Sequence, residues 1–319
     1  MHQLICFGEA LIDFLQIKTE IQDKVRSPIY QQFPGGAPAN VAVACSKLGG
    51  SSSFLGQVGN DSFGNFIEEC FKDYQVNTDY LLKHESANTG LAFVQRNLQG
   101  ERSFEFVRKQ SADMLLESEQ IKTEWFDEKA ILHFSSNTLT SALGVEVTQH
   151  VIHSAKSAGC IISFDVNLRH NLWSEGQANK EPIETCLLQA DIIKVSLDEL
   201  EYIEPKGIKH FATKYLSQGS KVILITDGAN PVKLLGMGMH STIKTPTVNA
   251  IDTTAAGDTF MGGFLYGLCQ QEDIISALQQ QEILESITVF ASICGALSTT
   301  RKGAFPSMPS LEEVEEFNL

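Results

Sequence analysis

The chain has 319 residues, with 24 Lys and Arg against 39 Asp and Glu, for a formal charge of −15. That balance excludes the electrostatic footprint of a protein that binds duplex nucleic acid or an anionic membrane, so an anionic ligand has to be held by local geometry. Its seven cysteines are odd in number and fall in no Cys-x-x-Cys or Cys/His spacing, which predicts reduced thiols in a cytoplasmic protein and argues against a zinc site.

The first apolar run, "LICFG" at 4–8, predicts a strand. Glu9 and Asp13 follow it and no basic segment precedes it, so no signal peptide is expected, and no uncharged apolar run approaches a membrane span. Runs rich in Ile, Val, Leu and Phe predict further strands at 52–59, 131–135, 160–166, 191–196 and 221–228, with helical patterns at 37–48, 62–75, 144–158 and 209–218. Runs so continuously apolar fit strands covered on both faces. The alternation predicts an α/β fold, a doubly wound, mostly parallel sheet flanked by helices, with residues 1–319 forming one domain.

Two stretches leave that alternation. Residues 89–108 read as two period-2 strands around a polar turn at Asn97 to Glu101, and 11–33 starts as a strand but turns polar before "FPGG". Together they predict a small β-sheet, either a lid over a cleft or an edge extension; its exposed face offers a surface for a homodimer. After 228 the chain has turn-rich β character to about 251, then helices at 257–269, 273–279, 282–299 and 310–318.

"DTTAAGD" at 252–258 leads into the first of those helices. Helix N-termini leave amides unpaired and favour negative charge, and Ala255, Ala256 and Gly257 carry nothing bulky enough to keep a phosphate away. Asp258 then conflicts with that phosphate, unless it sits beside the anion and takes the proton of a hydroxyl attacking phosphorus. An acid in the first helical turn is also favoured by the dipole alone, and the short stretch does not separate the two readings.

The motif resembles the C-terminal signature of the ribokinase-like (PfkB) carbohydrate kinases, Asp-Thr-x-Gly-Ala-Gly-Asp, with Ala255 in place of the usual first Gly. "GGAPANVAVACSKLGGSSSFLGQVGNDSFG" at 35–64 resembles the family's N-terminal signature, and the likeness runs from "CFGEALIDF" to "TTRKGAFPSMP". It implies an ATP-dependent sugar kinase in which Asp258 is the base, the amides of Ala256, Gly257 and Asp258, just after Ala255, form the anion hole, and Arg169 stabilises the transferring phosphoryl group. Gly35 and Gly36 would let the backbone approach the sugar, and Asn40 would bind its hydroxyls, although a helix cap after Pro38 also explains Asn40.

"ICFGEALIDF", "FVRKQSADMLL" and "SFDVNLRHNLW" resemble the fructokinase branch in particular. By that resemblance Asp13, Phe93, Arg108 and Asn167 bind the sugar. Their plain alternatives include a turn residue for Asp13, a packing residue for Phe93 and a solvated charge for Arg108. Ser136 stands where ribokinases commonly carry a glutamate, which counts against ribose. Kinases for aminoimidazole riboside or 2-keto-3-deoxygluconate, or a silent binder on the same fold, are the alternatives.

No Walker A, protein-kinase or dinucleotide fingerprint occurs, and the eight histidines form no catalytic pair. By resemblance, ATP is held by Lys194, Glu199, Thr226, Gly228, Gly257 and Ser292, with Mg²⁺ at the phosphates. Ser196 replaces an Asn of the family's Asn-x-x-Glu segment, and Asp227 and Pro231 also depart from its pattern. The resemblance further implies a K⁺ site built mostly from main-chain carbonyls among Asp252, Thr254, Ser298, Arg301, Gly303 and Ser307.

Overall fold

The structure, a computed structural model, describes residues 2–96, 102–127 and 129–317. In chain order the strands are β1 (Gln3–Phe7), β2 (Leu11–Gln22), β3 (Val25–Gly35), β4 (Ser51–Gly59), β5 (Leu81–His84), β6 (Leu91–Arg96), β7 (Arg102–Val107), β8 (Ala130–Ser135), β9 (Ile161–Asp165), β10 (Ile192–Ser196), β11 (Val222–Asp227), β12 (Asn230–Gly236) and β13 (Met239–Ile243). The helices are α1 (Ala37–Lys47), α2 (Ser62–Asp73), α3 (Ala142–Ser157), α4 (Lys180–Leu187), α5 (Leu197–Ile203), α6 (Ile208–Ser217), α7 (Ala256–Cys269), α8 (Ile274–Ala277), α9 (Gln281–Ser298) and α10 (Leu311–Glu315).

Nine strands make the main sheet in the order β13-β12-β11-β10-β9-β8-β1-β4-β5. From β11 to β5 neighbouring strands are parallel; β12 and β13 are each antiparallel to the strand before them. In β1, Leu4 and Cys6 enter one core with Val41 of α1 and Phe264 of α7, while Ile5 and Phe7 enter the other with Val151 of α3 and Phe211 of α6. Burial on both faces is why these strands read as unbroken apolar runs.

The strands expected from sequence at 4–8, 52–59, 131–135, 160–166, 191–196 and 221–228 appear within one or two residues of those bounds. The order reverses at β1, which lies between β4 and β8, and crevices at such switch points open beyond the carboxyl ends of the strands.

The chain leaves β1 for a small sheet ordered β3-β2-β6-β7. Its β6–β7 hairpin matches the expectation for 89–108, while the turn expected at 97–101 lies outside the described residues. The stretch 11–33 is more regular than its polarity implied, because β2 and β3 pair along nearly their whole length. Ile17 is left over where the register shifts between Gln16 and Lys18, a β-bulge in the arm. The last helix is shorter than expected, ending at Glu315.

Candidate active site

Ala255 caps α7 in the left-handed conformation, φ 58°, without a side-chain cap of its own. Asp258, in the first turn, is only 7 % exposed. Asn40 Nδ2, from α1, donates to its Oδ2 at 2.7 Å, and Asn167 Nδ2, from the loop after β9, donates to its Oδ1 at 3.1 Å. Burial pushes the Asp258 pKa up, while Asn40, Arg169, Lys194 and Asn167 pull it down. A desolvated carboxylate oriented by amides is suited to accept a proton.

Two clefts meet at this helix end, sharing Thr253. The first, of about 270 Å³, is lined by Glu9, Asp13, Gly36, Asn40, Phe106, Arg108, Asn137, Asn167, Arg169, Ala255 and Asp258, among others. The small sheet contributes Leu11, Asp13 and Phe106, the loops after β1, β8 and β9 contribute Glu9, Asn137, Asn167 and Arg169, and the entry to α7 contributes Thr253, Thr254, Ala255 and Asp258.

The backbone turn into α1 is tight. Gly36 has φ 109°, and a Cβ there would lie 2.4 Å from Glu9 O; a Cβ on Gly35 would lie 2.2 Å from Asp13 Oδ2. Ala37 N and Asn137 Nδ2 both donate to Glu9 Oε1 at 3.0 Å. Arg108 is buried, with Nε on Asp113 Oδ2 at 2.5 Å and Nη1 on Asn137 O at 3.0 Å. It is therefore a fixed cation behind the cleft and not a solvated charge. Burial, then the charges of Asp258, Glu9 and Asp252, raise the pKa of Asp13 to about 7. Within the protein Glu9 Oε2 and the side-chain oxygens of Asn40, Asn137 and Asn167 accept no hydrogen bond. A cleft so rich in acceptors suits a ligand carrying several hydroxyl donors.

Phe93 does not join the cleft. Across β2, β6 and β7 the aligned Asp13, Ala92 and Phe106 share one face, which puts Phe14 and Phe93 on the other. There Phe93 stacks on Phe14 at 5.1 Å and meets Tyr30 edge-on at 5.5 Å. Period-2 alternation forces this, and Phe106 is the aromatic residue in the cleft. Ser136 is fully buried and its hydroxyl donates to Asn167 O, so it supports the loop carrying Asn167.

The second cleft, of about 390 Å³, lies on the other side of Thr253. Thr226, Gly228, Ala256, Gly257 and Ser292 line it, as do Val232, Phe260 and the segment 245–250, which has no regular structure. The Ser292 hydroxyl is turned back to Thr288 O. Lys194 is 5 % exposed, and its Nζ would lie 3.1 Å from a Cβ on Gly257. Burial works against charge on Lys194, but Asp165, then Glu199, hold its pKa above the usual lysine value.

Glu199 is not a free surface acid. Its Oε1 accepts from Leu168 N and its Oε2 from Ser196 N, each at 2.8 Å, so it caps α5 and holds the loop that carries Asn167 and Arg169. Arg169 is exposed at the first cleft, and its Nη1 donates to Leu168 O.

The segments proposed for a cation converge. Thr299 O accepts from Ile251 N and Asp252 N, and the buried Asp252 carboxylate takes Thr254 N at 2.9 Å and Gly303 N at 3.3 Å. Ser298 and Ser307 donate their hydroxyls to Gly295 O and Ala304 O, leaving oxygen lone pairs. The Arg301 side chain pairs with Glu313, so only its main chain is left to serve a cation. One carboxylate with carbonyl and hydroxyl oxygens fits a hard monovalent cation; among the described residues no cluster of three or more His, Cys, Asp or Glu could hold a metal ion.

Sequence reasoning missed Glu9, Phe106, Asp113, Asn137 and Asp165. Glu9, Phe106, Asp113 and Asp165 stood inside the segments that resemble fructokinases without being given a role, Glu9 serving only to argue against a leader peptide, and Asn137 stood outside them.

This geometry, a buried carboxylate at a helix N-terminus between two clefts, agrees with the comparisons. The pfkB family carbohydrate kinase pattern matches residues 1–311, and the chain belongs to that family. It is a phosphotransferase with an alcohol acceptor, a sugar kinase. Fructokinase-1 of Zea mays is 36% identical over 315 residues, covering 98% of this chain and 96% of that protein. The solved fructokinase of Xylella fastidiosa with bound ATP is 39% identical, with a TM-score of 0.90 over 98% of this chain and 97% of that one. A double mutant of the Vibrio cholerae O395 fructokinase, in its fructose, ADP and potassium ion bound form, is 32% identical, with a TM-score of 0.89 over 99% and 98%.

Proposed function

We propose that the protein transfers the γ-phosphoryl group of ATP to a hydroxyl of fructose. The observation that carries the reading is Asp258, held between the Asn40 and Asn167 amides where the two clefts meet. The sugar occupies the cleft of Glu9, Asp13 and Asn137, and the nucleotide occupies the cleft of Thr226, Gly228 and Ser292. Asp258 takes the proton of the attacking hydroxyl. The first-turn amides of Ala256, Gly257 and Asp258, with Arg169 and Lys194, face the charge that develops on the phosphoryl oxygens. The relatives named above support fructose, and Ser136 in place of a glutamate counts against ribose.

Mg²⁺ fits as a partner of the nucleotide. Glu199 is committed to backbone amides and Asp165 to Lys194, so phosphate oxygens and water supply most of its ligands. When bound it supplies charge neutralisation at the phosphates. K⁺ fits the oxygens around Asp252 and Thr299.

The small sheet acts as a lid within a single domain. Its arm carries the exposed Ile17, Ile21 and Val25, which support a homodimer through that face. The seven free cysteines, all but Cys70 buried, support a cytoplasmic location; no helix among the described residues is long and apolar enough to cross a membrane.

The test is ADP production with Mg·ATP and K⁺ across fructose, ribose, glucose, 2-keto-3-deoxygluconate and aminoimidazole riboside. Strong preference for fructose is expected. Preference for another sugar replaces the substrate and keeps the mechanism, whereas binding without turnover of any supports the silent binder.

A further inference from the structure

Asp165 is the last residue of β9 and 1 % exposed, and it lines neither cleft. Its register partner is Lys194 in the middle of β10, whose Nζ lies 3.0 Å from Oδ1 and 3.1 Å from Oδ2. Flanking Lys194, Ile193 and Val195 belong to the core on the α3 and α6 side, while Ile192 belongs to the core on the α7 side. The ion pair therefore lies on the α7 face of an otherwise apolar stretch of sheet.

Such a pair is a poor device for stability, because taking two charges out of water costs about as much as their attraction returns. Its position supplies another reason for it. Lys194 Nζ, 3.1 Å from where a Gly257 Cβ would be, already sits against the first turn of α7. An ammonium has three donors. With Asp165 on one side, the remaining hydrogen is available to an anion at the amides of Gly257 and Asp258, with no swing of the side chain. Among the described residues Asp165 is the acid in direct contact with this ammonium, and the neighbouring groups are oriented by other partners. Glu199 is spent on backbone amides, Asp258 on Asn40 and Asn167, and the buried His133, whose ring nitrogen Nδ1 meets Ser163 Oγ at 3.0 Å, is held neutral by burial and by Lys194.

The geometry points to Asp165 as a positioning residue that holds the Lys194 ammonium at the α7 N-terminus, ready for a nucleotide phosphate. It acts through Lys194 and touches neither substrate, and it rests on the nucleotide reading of the second cleft.

The experiment is calorimetric binding of Mg·ADP, without sugar, to the full-length wild type, Asp165→Asn, Asp165→Glu, Lys194→Met and the double variant Asp165→Asn/Lys194→Met. Asp165→Asn is expected to weaken binding about tenfold, as for loss of one charge-assisted contact. The double variant should bind no worse than Lys194→Met, because Asp165 has no other route to the nucleotide. Fructose KM should stay within about twofold of wild type, a split that general unfolding does not produce.

Asp165→Glu keeps the charge but its extra methylene displaces the ammonium, so it too should weaken Mg·ADP, in protein that a melting curve shows to be folded. Unchanged or tighter binding by Asp165→Asn, additive losses in the double variant, or, should Asp165→Asn fail to fold, unchanged binding by Asp165→Glu overturns the inference. A wild type that does not bind Mg·ADP overturns the nucleotide cleft as well.

Discussion

Replacing Asp258 by Asn tests the proposed base while leaving its surroundings nearly intact. The new amide keeps the shape of the carboxylate but sets an NH₂ against one of two donors, Asn40 Nδ2 at 2.7 Å or Asn167 Nδ2 at 3.1 Å. Either asparagine can turn its own oxygen, which accepts nothing within the protein, toward that NH₂. The substitution also removes a carboxylate whose pKa burial raises, so the fold has no reason to weaken. A positioned general base is worth roughly 10²–10⁴-fold. The middle of that range applies, because Asp13 and Glu9 also line the cleft and leave some acceptor capacity beside the hydroxyl.

The expected loss in kcat is thus about 10³-fold, or about 4 kcal/mol of barrier. Initial-rate ADP production measures it, with Mg·ADP calorimetry and a melting curve as controls. If Asp258→Asn, folded and binding Mg·ADP, keeps more than about a tenth of wild-type turnover, Asp258 is not the base.

Further outcomes follow from particular residues. Because the folded protein holds Asp13 near pH 7 against an ordinary value of 3.8, the unfolded chain releases that proton first as pH rises. Stability therefore falls between about pH 4 and pH 7, and the penalty stays complete above that window. Asp13→Asn should melt above wild type at pH 8 and level with it at pH 3, and a pH-independent difference would contradict the assignment. Phe106→Ala should raise the sugar KM roughly tenfold, the loss of about 1.5 kcal/mol of apolar contact, whereas Phe93→Ala should lower the melting temperature and leave that KM within about twofold. Ala255→Gly relieves a left-handed alanine but adds freedom to the unfolded chain, for a net gain of about 0.5–1 kcal/mol in urea unfolding; a loss would mean that the strain is absent.

The main sheet was legible because strands with cores on both faces leave long apolar runs, as in "KVILITDG". The small sheet was legible only where apolar residues alternate. Strand β3 carries "VRSPIYQQ", whose pairing to β2 comes from backbone hydrogen bonds that composition does not record. Asp258 and Asn40 stood in motifs, so their meeting could be expected from 218 positions apart. Asp165 stood in a motif too, but as an acid ending a buried strand it had no readable role until Lys194 was seen beside it, and Asn137, in the turn after β8, stood in none. Phe93 shows the remaining limit. Alternation tells which residues share a face, but not which face meets the cleft.

The bulge at Ile17 divides the β2–β3 arm into parts with different tolerance for change. Before it, Asp13 points into the cleft and its neighbour Phe14 into the aromatic cluster, so adding one residue near Asp13 would exchange a carboxylate for a phenyl ring at the sugar. Beyond it the ladder resumes from Lys18 opposite Ile29 to Gln22 opposite Val25, in a part of the arm that lines neither cleft. Changes to the distal arm, from Lys18 through the turn to Ile29, thus bear first on the exposed Ile21 and Val25 proposed to meet a second copy, and only indirectly on the cleft. In engineering terms the distal arm is the place on the small sheet to graft an epitope, a label or a new pairing surface.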